Sequence, residues 1–228
     1  MLVGELFTFF GVISENHAYL FLAHMLLTAV IVVMLAKYAV KNLKVVPTGT
    51  QNLMEAYLQG VVAMGADVMG RENAKRYMPL VATLGLFIGV ANLIGIVPGF
   101  EAPSAFLNFT LALALIVFVY YNFEGIRHSG FVAYIKHFMG PVAWLAPLMF
   151  PIEIVSHISR IVSLSFRLFG NIKGDDMFLA VMLLLAPWLL PIVPFGLLAF
   201  SAILQAFIFM ILTYVYLGGA VTLHEESL

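Results

Sequence analysis

Cysteine is absent from this chain, so there is no disulfide framework, no thiol nucleophile, no cysteine-based metal site and no c-type haem attachment. Charge is scarce too: only 10% of the 228 residues are Asp, Glu, Lys or Arg, and the formal net charge is −1. A balance so close to zero offers no electrostatic footprint for nucleic acid. The first sixteen residues contain Glu5 and Glu15 but no Lys or Arg, so they lack the basic opening of a cleaved secretory signal. Nothing matches G-x-x-x-x-G-K-[ST], so ATP binding through a P-loop is not expected. No cofactor is called for. Glu153 and His157 form E-x-x-x-H, which lacks the paired histidines of a zinc-protease helix, and no metal is expected there.

What fills the space is apolar. Hydrophobic residues make up 63% of the chain and the mean hydropathy is +1.04, more than a water-soluble domain of this size can bury. The bilayer must be the solvent. Crossing it takes about 20 residues of helix, at about 1.5 Å per residue against a hydrocarbon core about 30 Å thick. Five segments qualify: residues 18–36, 78–97, 104–122, 148–186 and 195–217. The fourth is compatible with one helix about twice the length of a perpendicular span, so it should be strongly tilted or bent. After it comes Pro187-Trp188-Leu189-Leu190-Pro191-Ile192-Val193-Pro194, three prolines that stop a helix and turn the chain back for the last span. The predicted fold is therefore an all-α membrane protein with one integral membrane domain over residues 1–228. Its last two helices would form a long tilted hairpin.

Residues 51–69 have a different pattern. Leu53, Met54, Tyr57, Leu58, Val61, Val62, Val68 and Met69 form a helical apolar stripe opposite Gln51, Asn52, Glu55, Gln59 and Asp67. That pattern predicts an amphipathic helix on the membrane surface; a shallow sixth span is the alternative. If the five spans alternate, Lys37, Lys41, Lys44, Arg71, Lys75, Arg76, Arg127 and Lys136 all fall on one side. The positive-inside rule then puts the amino terminus outside and the carboxyl terminus, with Glu225 and Glu226, inside. His17 and His24, near the outer end of the first span, read as interfacial histidines.

The remaining three of the eleven basic residues, Arg160, Arg167 and Lys173, all lie in the long fourth span. Steps of three and four connect Glu153, Ser156, Arg160, Ser163, Arg167, Asn171 and Asp175, which places them on one helix face. From Glu153 to Asp175 the helix rises about 33 Å, enough to reach across the hydrocarbon. His157 and Asp176 adjoin this polar stripe. Ionisable groups in mid-membrane cost roughly 2.5–3.5 kcal/mol each and mark ion or proton pathways when they gather in this way. A lone arginine could merely pair with an acid on another helix. A run of polar side chains is harder to explain as structural glue. Gln205, the sole amide in the run from Phe195 to Leu217, adds to the set.

The segment Ser163-Leu164-Ser165-Phe166-Arg167-Leu168-Phe169-Gly170-Asn171 resembles the signature of subunit a of F-type ATP synthases. The final helix, from Gln205 to Leu217, is similar to that family's last helix, and the resemblance runs in order along essentially the whole chain. It implies a proton-translocating stator with two offset half-channels, in a bacterial inner membrane. Its partners would be a rotating ring of small hairpin subunits with membrane carboxylates, the peripheral stalk subunits and membrane lipid. Arg167 would be the essential arginine at the rotor contact. Glu153, Ser156 and His157 would serve the inner half-channel, and Asn171, Asp176 and Gln205 the outer one. Asp175 is a second acid beside Asp176, and either could be the relay. Three departures are visible: Asp176 stands where many relatives have glutamate, Leu198 where several have a titratable group, and Ile161 where proline is frequent. A transporter acting alone and a purely structural membrane anchor are the competing readings.

Overall fold

The computed structural model describes residues 9–12, 16–41, 43–97, 99–131, 134, 145–185 and 191–221. Glu5, Glu15, Lys136, Glu225, Glu226 and the turn residues 187–190 lie outside the described residues, as does the side chain of His17. Among those described there are six α-helices: α1 (His17–Val40), α2 (Thr50–Met69), α3 (Arg71–Ile94), α4 (Leu107–Ser129), α5 (Ala146–Leu185) and α6 (Ile192–Val221). Four of them, α1, α3, α4 and α6, are long and apolar enough to cross a membrane. The fifth expected span corresponds to α5, whose charged residues separate it from those four. The protein is an all-α membrane protein.

Helix ends differ from the expected spans for local reasons. The Asn16 side chain accepts the Ala18 N–H and caps α1. Gly70, at φ 79°, divides α2 from α3; a side chain there would be strained, and its N–H still bonds back to Ala66 O. α3 therefore begins at Arg71, seven residues before the expected span, because Arg71, Glu72, Lys75 and Arg76 form a polar extension of the same helix. It stops at Ile94, short of residue 97, ahead of Gly95 and Pro98. Residues 103–105 form a 3-10 turn instead of opening α4, which runs on to Ser129 before Gly130 at φ 79°. α5 spans 40 residues and carries Pro151 near its start. At about 1.5 Å per residue it is about 60 Å long, twice the hydrocarbon thickness.

α3 and α6 pack against each other at the centre, and α2 docks on both. Small residues let these backbones approach. Gly65 faces Tyr214 and Ala74, and Gly85 lies under Met210 and Tyr57. Tyr214 donates to Ala74 O at 3.3 Å, while Tyr57 donates to Ala82 O at 2.7 Å. So α2, although not among the helices apolar enough to span, has its Val61–Gly65–Met69 face inside the bundle. α4 packs on α5 and α6, and α1 lies against α3. The large exposed side chains of α1, among them Leu22, Leu26, Val30 and Val33, form the kind of apolar face that lipid covers.

A Cβ at Gly65 would lie 2.6 Å from the Tyr214 ring and 2.9 Å from Ala74 Cβ. Gly65→Val is therefore expected to cost about 1–3 kcal/mol through overpacking. A lower unfolding temperature for the purified membrane complex is the readout; an unchanged value would refute close α2–α3–α6 packing.

Candidate functional site

α5 is buried along one seam only, through His157, Leu164, Ser165, Leu168, Ile172 and Leu179. These follow the steps of three, four and seven that a helix uses to face a neighbour. The polar stripe lies beside this seam. Glu153, Ser156 and Arg160 are half-buried, Ser163, Arg167 and Asn171 are exposed, and Asp175 is half-buried again. The ends of the stripe thus turn towards the bundle while its middle faces out.

At the first end, His157 Nδ1 lies 3.5 Å from Glu153 Oε1, one helical turn away. The Tyr121 ring of α4 stands 5.8 Å from the His157 ring and 6.1 Å from that of Tyr216 on α6. Arg160 places its guanidinium carbon 5.5 Å from the Tyr216 ring centre, a cation–π contact that partly offsets burial of the charge. One step further, the Ser165 and Thr110 hydroxyls, both 0% exposed, hydrogen-bond to each other at 3.0 Å and fix α5 on α4.

Arg167 comes next, and among the described residues it makes neither an ion pair nor a hydrogen bond to a carboxylate. Phe166 beside it is 53% exposed. Gly170 and Gly174, on the turns that follow, have open space where a Cβ would project. Gln205 is buried on α6, and no hydrogen bond joins it to Arg167 among the described residues. The structure therefore places Gln205 within the bundle and Arg167 on its open face.

A second polar group gathers at the far end of α5. Lys173 Nζ lies 3.6 Å from Glu101 Oε1, in the connection between α3 and α4. The Glu101 backbone N–H donates to His24 Nε2 at 3.1 Å, and His24 Nδ1 lies 2.8 Å from Leu20 O. A carbonyl can only accept, so Nδ1 carries the proton and Nε2 is the acceptor. His24 is 0% exposed and packs edge-on to Phe10 and Phe100. The ring is thus held inside the bundle, with a partner in the connection after α3 that spacing along α1 could not show. Asp175 Oδ2 is buried with no hydrogen-bond partner among the described residues, and Asp176 is half-buried within electrostatic reach of Lys173, Glu101 and Asp175.

Two further networks hold the frame. Buried Asn92 of α3 donates to Ala202 O on α6 at 3.2 Å and accepts from the Ser104 hydroxyl. At the opposite end of the bundle from Glu101, buried Glu124 accepts from Tyr77 at 3.0 Å and draws Arg76 and Arg127 to within 3.7 and 3.4 Å. Two of the basic residues assigned to one side by sequence do share one end. Sequence reasoning missed Glu101, Tyr121 and Tyr216, and it singled out His24 without its partner. Of these only Glu101 had a signal, as the one acid in an otherwise uncharged 95–106 connection.

These features define a multi-pass helical membrane protein in which one long helix carries charged residues along its length and a central arginine on its open face. The sequence profile of the ATP synthase A chain family matches residues 21–218. The chain is 69% identical over 224 residues to ATP synthase subunit a of Sulfurimonas denitrificans, covering 98% of this chain and 100% of that protein. It is 71% identical over 223 residues to ATP synthase subunit a of a Nitratiruptor species, covering 98% and 99%. With ATP synthase subunit a of Campylobacter fetus the identity is 63% over 223 residues, covering 97% and 99%. The chain belongs to the ATP synthase A chain family.

Asn92→Leu would leave the Ser104 hydroxyl and the Ala202 carbonyl buried without their partner, at a cost of about 1–3 kcal/mol. Heating the detergent-solubilised complex should release this subunit at a lower temperature than in the native complex. An equal release temperature would mean that the network adds nothing to stability.

Proposed function

We propose that this chain is the proton-translocating stator subunit of a rotary F-type ATP synthase, with Arg167 as the essential arginine at the rotor contact. The observation that carries this reading is an exposed guanidinium, with no ion pair among the described residues, in the middle of the 40-residue helix α5. A guanidinium stays protonated at any physiological pH, and in hydrocarbon it needs a counter-charge. Since no carboxylate of the described chain supplies one, a membrane carboxylate on a passing subunit of the rotor ring is the natural partner. As such a carboxylate nears Arg167, its ionised form is favoured and its proton is released. The same fixed charge repels protons between two offset half-channels and prevents a direct leak.

Glu153, Ser156 and His157 serve the inner half-channel. The Glu153–His157 contact beside Tyr121 gives that end of α5 a titratable pair within one turn. Asn171, Asp175, Asp176 and Gln205 serve the outer one, with Asp176 as the relay. Asp176 is the acid surrounded by other charged groups, while Asp175 turns one oxygen into a buried place without a hydrogen-bond donor. The chain crosses a bacterial inner membrane five times, with α5 as the fourth crossing. The amino terminus lies outside, and the Arg76–Glu124–Arg127 end lies inside. Peripheral stalk subunits and lipid cover surface that does not face the rotor.

Arg167→Ala should reduce ATP-driven proton pumping in inverted membrane vesicles to background while the complex stays assembled. Unchanged pumping would sink the rotor-contact role and favour a transporter acting alone. Asp176→Asn should lower pumping more than roughly tenfold, and Asp175→Asn less than roughly threefold, as expected when one acid carries the proton and its neighbour only shapes the site. The reverse order would make Asp175 the relay.

A further inference from the structure

We propose that Glu101 is a positioning residue of the outer path: held in place by His24, it keeps the Lys173 ammonium occupied and leaves Asp176 free to take up and release protons. The inference rests on the stator reading above.

Three elements meet at this point: α1 through His24, the α3–α4 connection through Glu101, and α5 through Lys173. His24 uses both ring nitrogens, one on Leu20 O and one on the Glu101 N–H, and Thr28 donates to the His24 carbonyl at 2.8 Å. The imidazole therefore cannot swing away without losing both bonds. It fixes the backbone from which the Glu101 carboxylate reaches Lys173 at 3.6 Å. A lysine has a second choice of partner here. Residues three apart are neighbours on a helix surface, so the Lys173 ammonium can also close on Asp176 of its own helix. A relay carboxylate in a standing ion pair is held in its charged form and no longer takes up protons at ordinary pH. Glu101 competes for that ammonium.

Among the described residues the groups acting on Asp176 are few. Lys173 and Asp175 come from its own helix and Glu101 from the connection, and α6 carries no charged residue from Ile192 to Val221. Up to Asn122, α4 carries none either. Among the described residues, removing the Glu101 charge would therefore leave Lys173 with the two aspartates as its neighbouring carboxylates.

The test compares ATP-driven proton pumping in inverted vesicles for Glu101→Gln, His24→Leu, and each of these combined with Lys173→Met, normalised to assembled complex. Glu101→Gln should lower pumping at least roughly threefold, and adding Lys173→Met should restore it to roughly half the native rate or more, because the competing cation has gone. His24→Leu should fall in the same direction and be rescued by the same second change. Native pumping in Glu101→Gln would overturn the proposal. So would double variants as slow as the single ones, since Glu101 would then carry protons itself or merely brace the loop. Loss of assembled complex in Glu101→Gln would also count against it, by showing a brace. Failure of the rescue leaves the Arg167 result untouched, so the two readings fall separately.

Discussion

A guanidinium in hydrocarbon must have a counter-charge or water, because an unpaired charge there costs several kcal/mol and arginine cannot shed its proton to escape the cost. Most ionisable side chains near the stripe meet this demand inside the chain: Glu153 lies against His157, Arg160 against Tyr216, and Lys173 against Glu101. Arg167, exposed in the middle of the stripe, has no ion pair among the described residues. The architecture around it follows from that constraint. α5 is packed on one side only, its seam held by Leu164, Leu168 and Ile172, so that the neighbouring face can meet another subunit. Gly170 and Gly174 keep the approach clear of side chains.

An open face needs a rigid back. That rigidity comes from α2, α3 and α6, whose contacts combine tyrosines seated on glycines with a buried amide bridging α3 and α6. In lipid the hydrophobic effect gives no force between helices, so close van der Waals contact and shared hydrogen bonds must hold them. The Thr110–Ser165 pair then ties α5 to this frame two residues before Arg167, which limits how far the arginine can drift. The charged group can be solvent- or partner-facing without being loose.

The helices were legible because the bilayer demands long apolar runs, and each expected segment has a helix over it. Their ends were less so. Gly70 breaks two helices that hydropathy treats as separate for another reason, and residues 103–105 form a turn where a span was expected to start. The polar stripe of α5 was readable from periodicity, and so was Gln205 as an unusual amide. Whether these groups faced inward or outward was not readable, since period alone fixes which residues share a face and leaves open what that face meets. Hence Arg167 and Gln205, grouped by sequence, lie on an open face and in the core respectively. His24 shows the same gap: its partner lies 77 residues away along the chain.

The two ends of α5 are paired by different means, and that difference carries a functional consequence. Near Glu153 the partners lie on the same helix or are aromatic, so charges there can change while the backbone stays put. Near Lys173 the partners come from other elements, and one of them, Glu101, is fixed through a backbone bond to a fully buried histidine. The charged side chain at that end is tied to the α3–α4 connection and, through it, to α1. The end expected outside is thus the one where charged groups and bundle packing share residues.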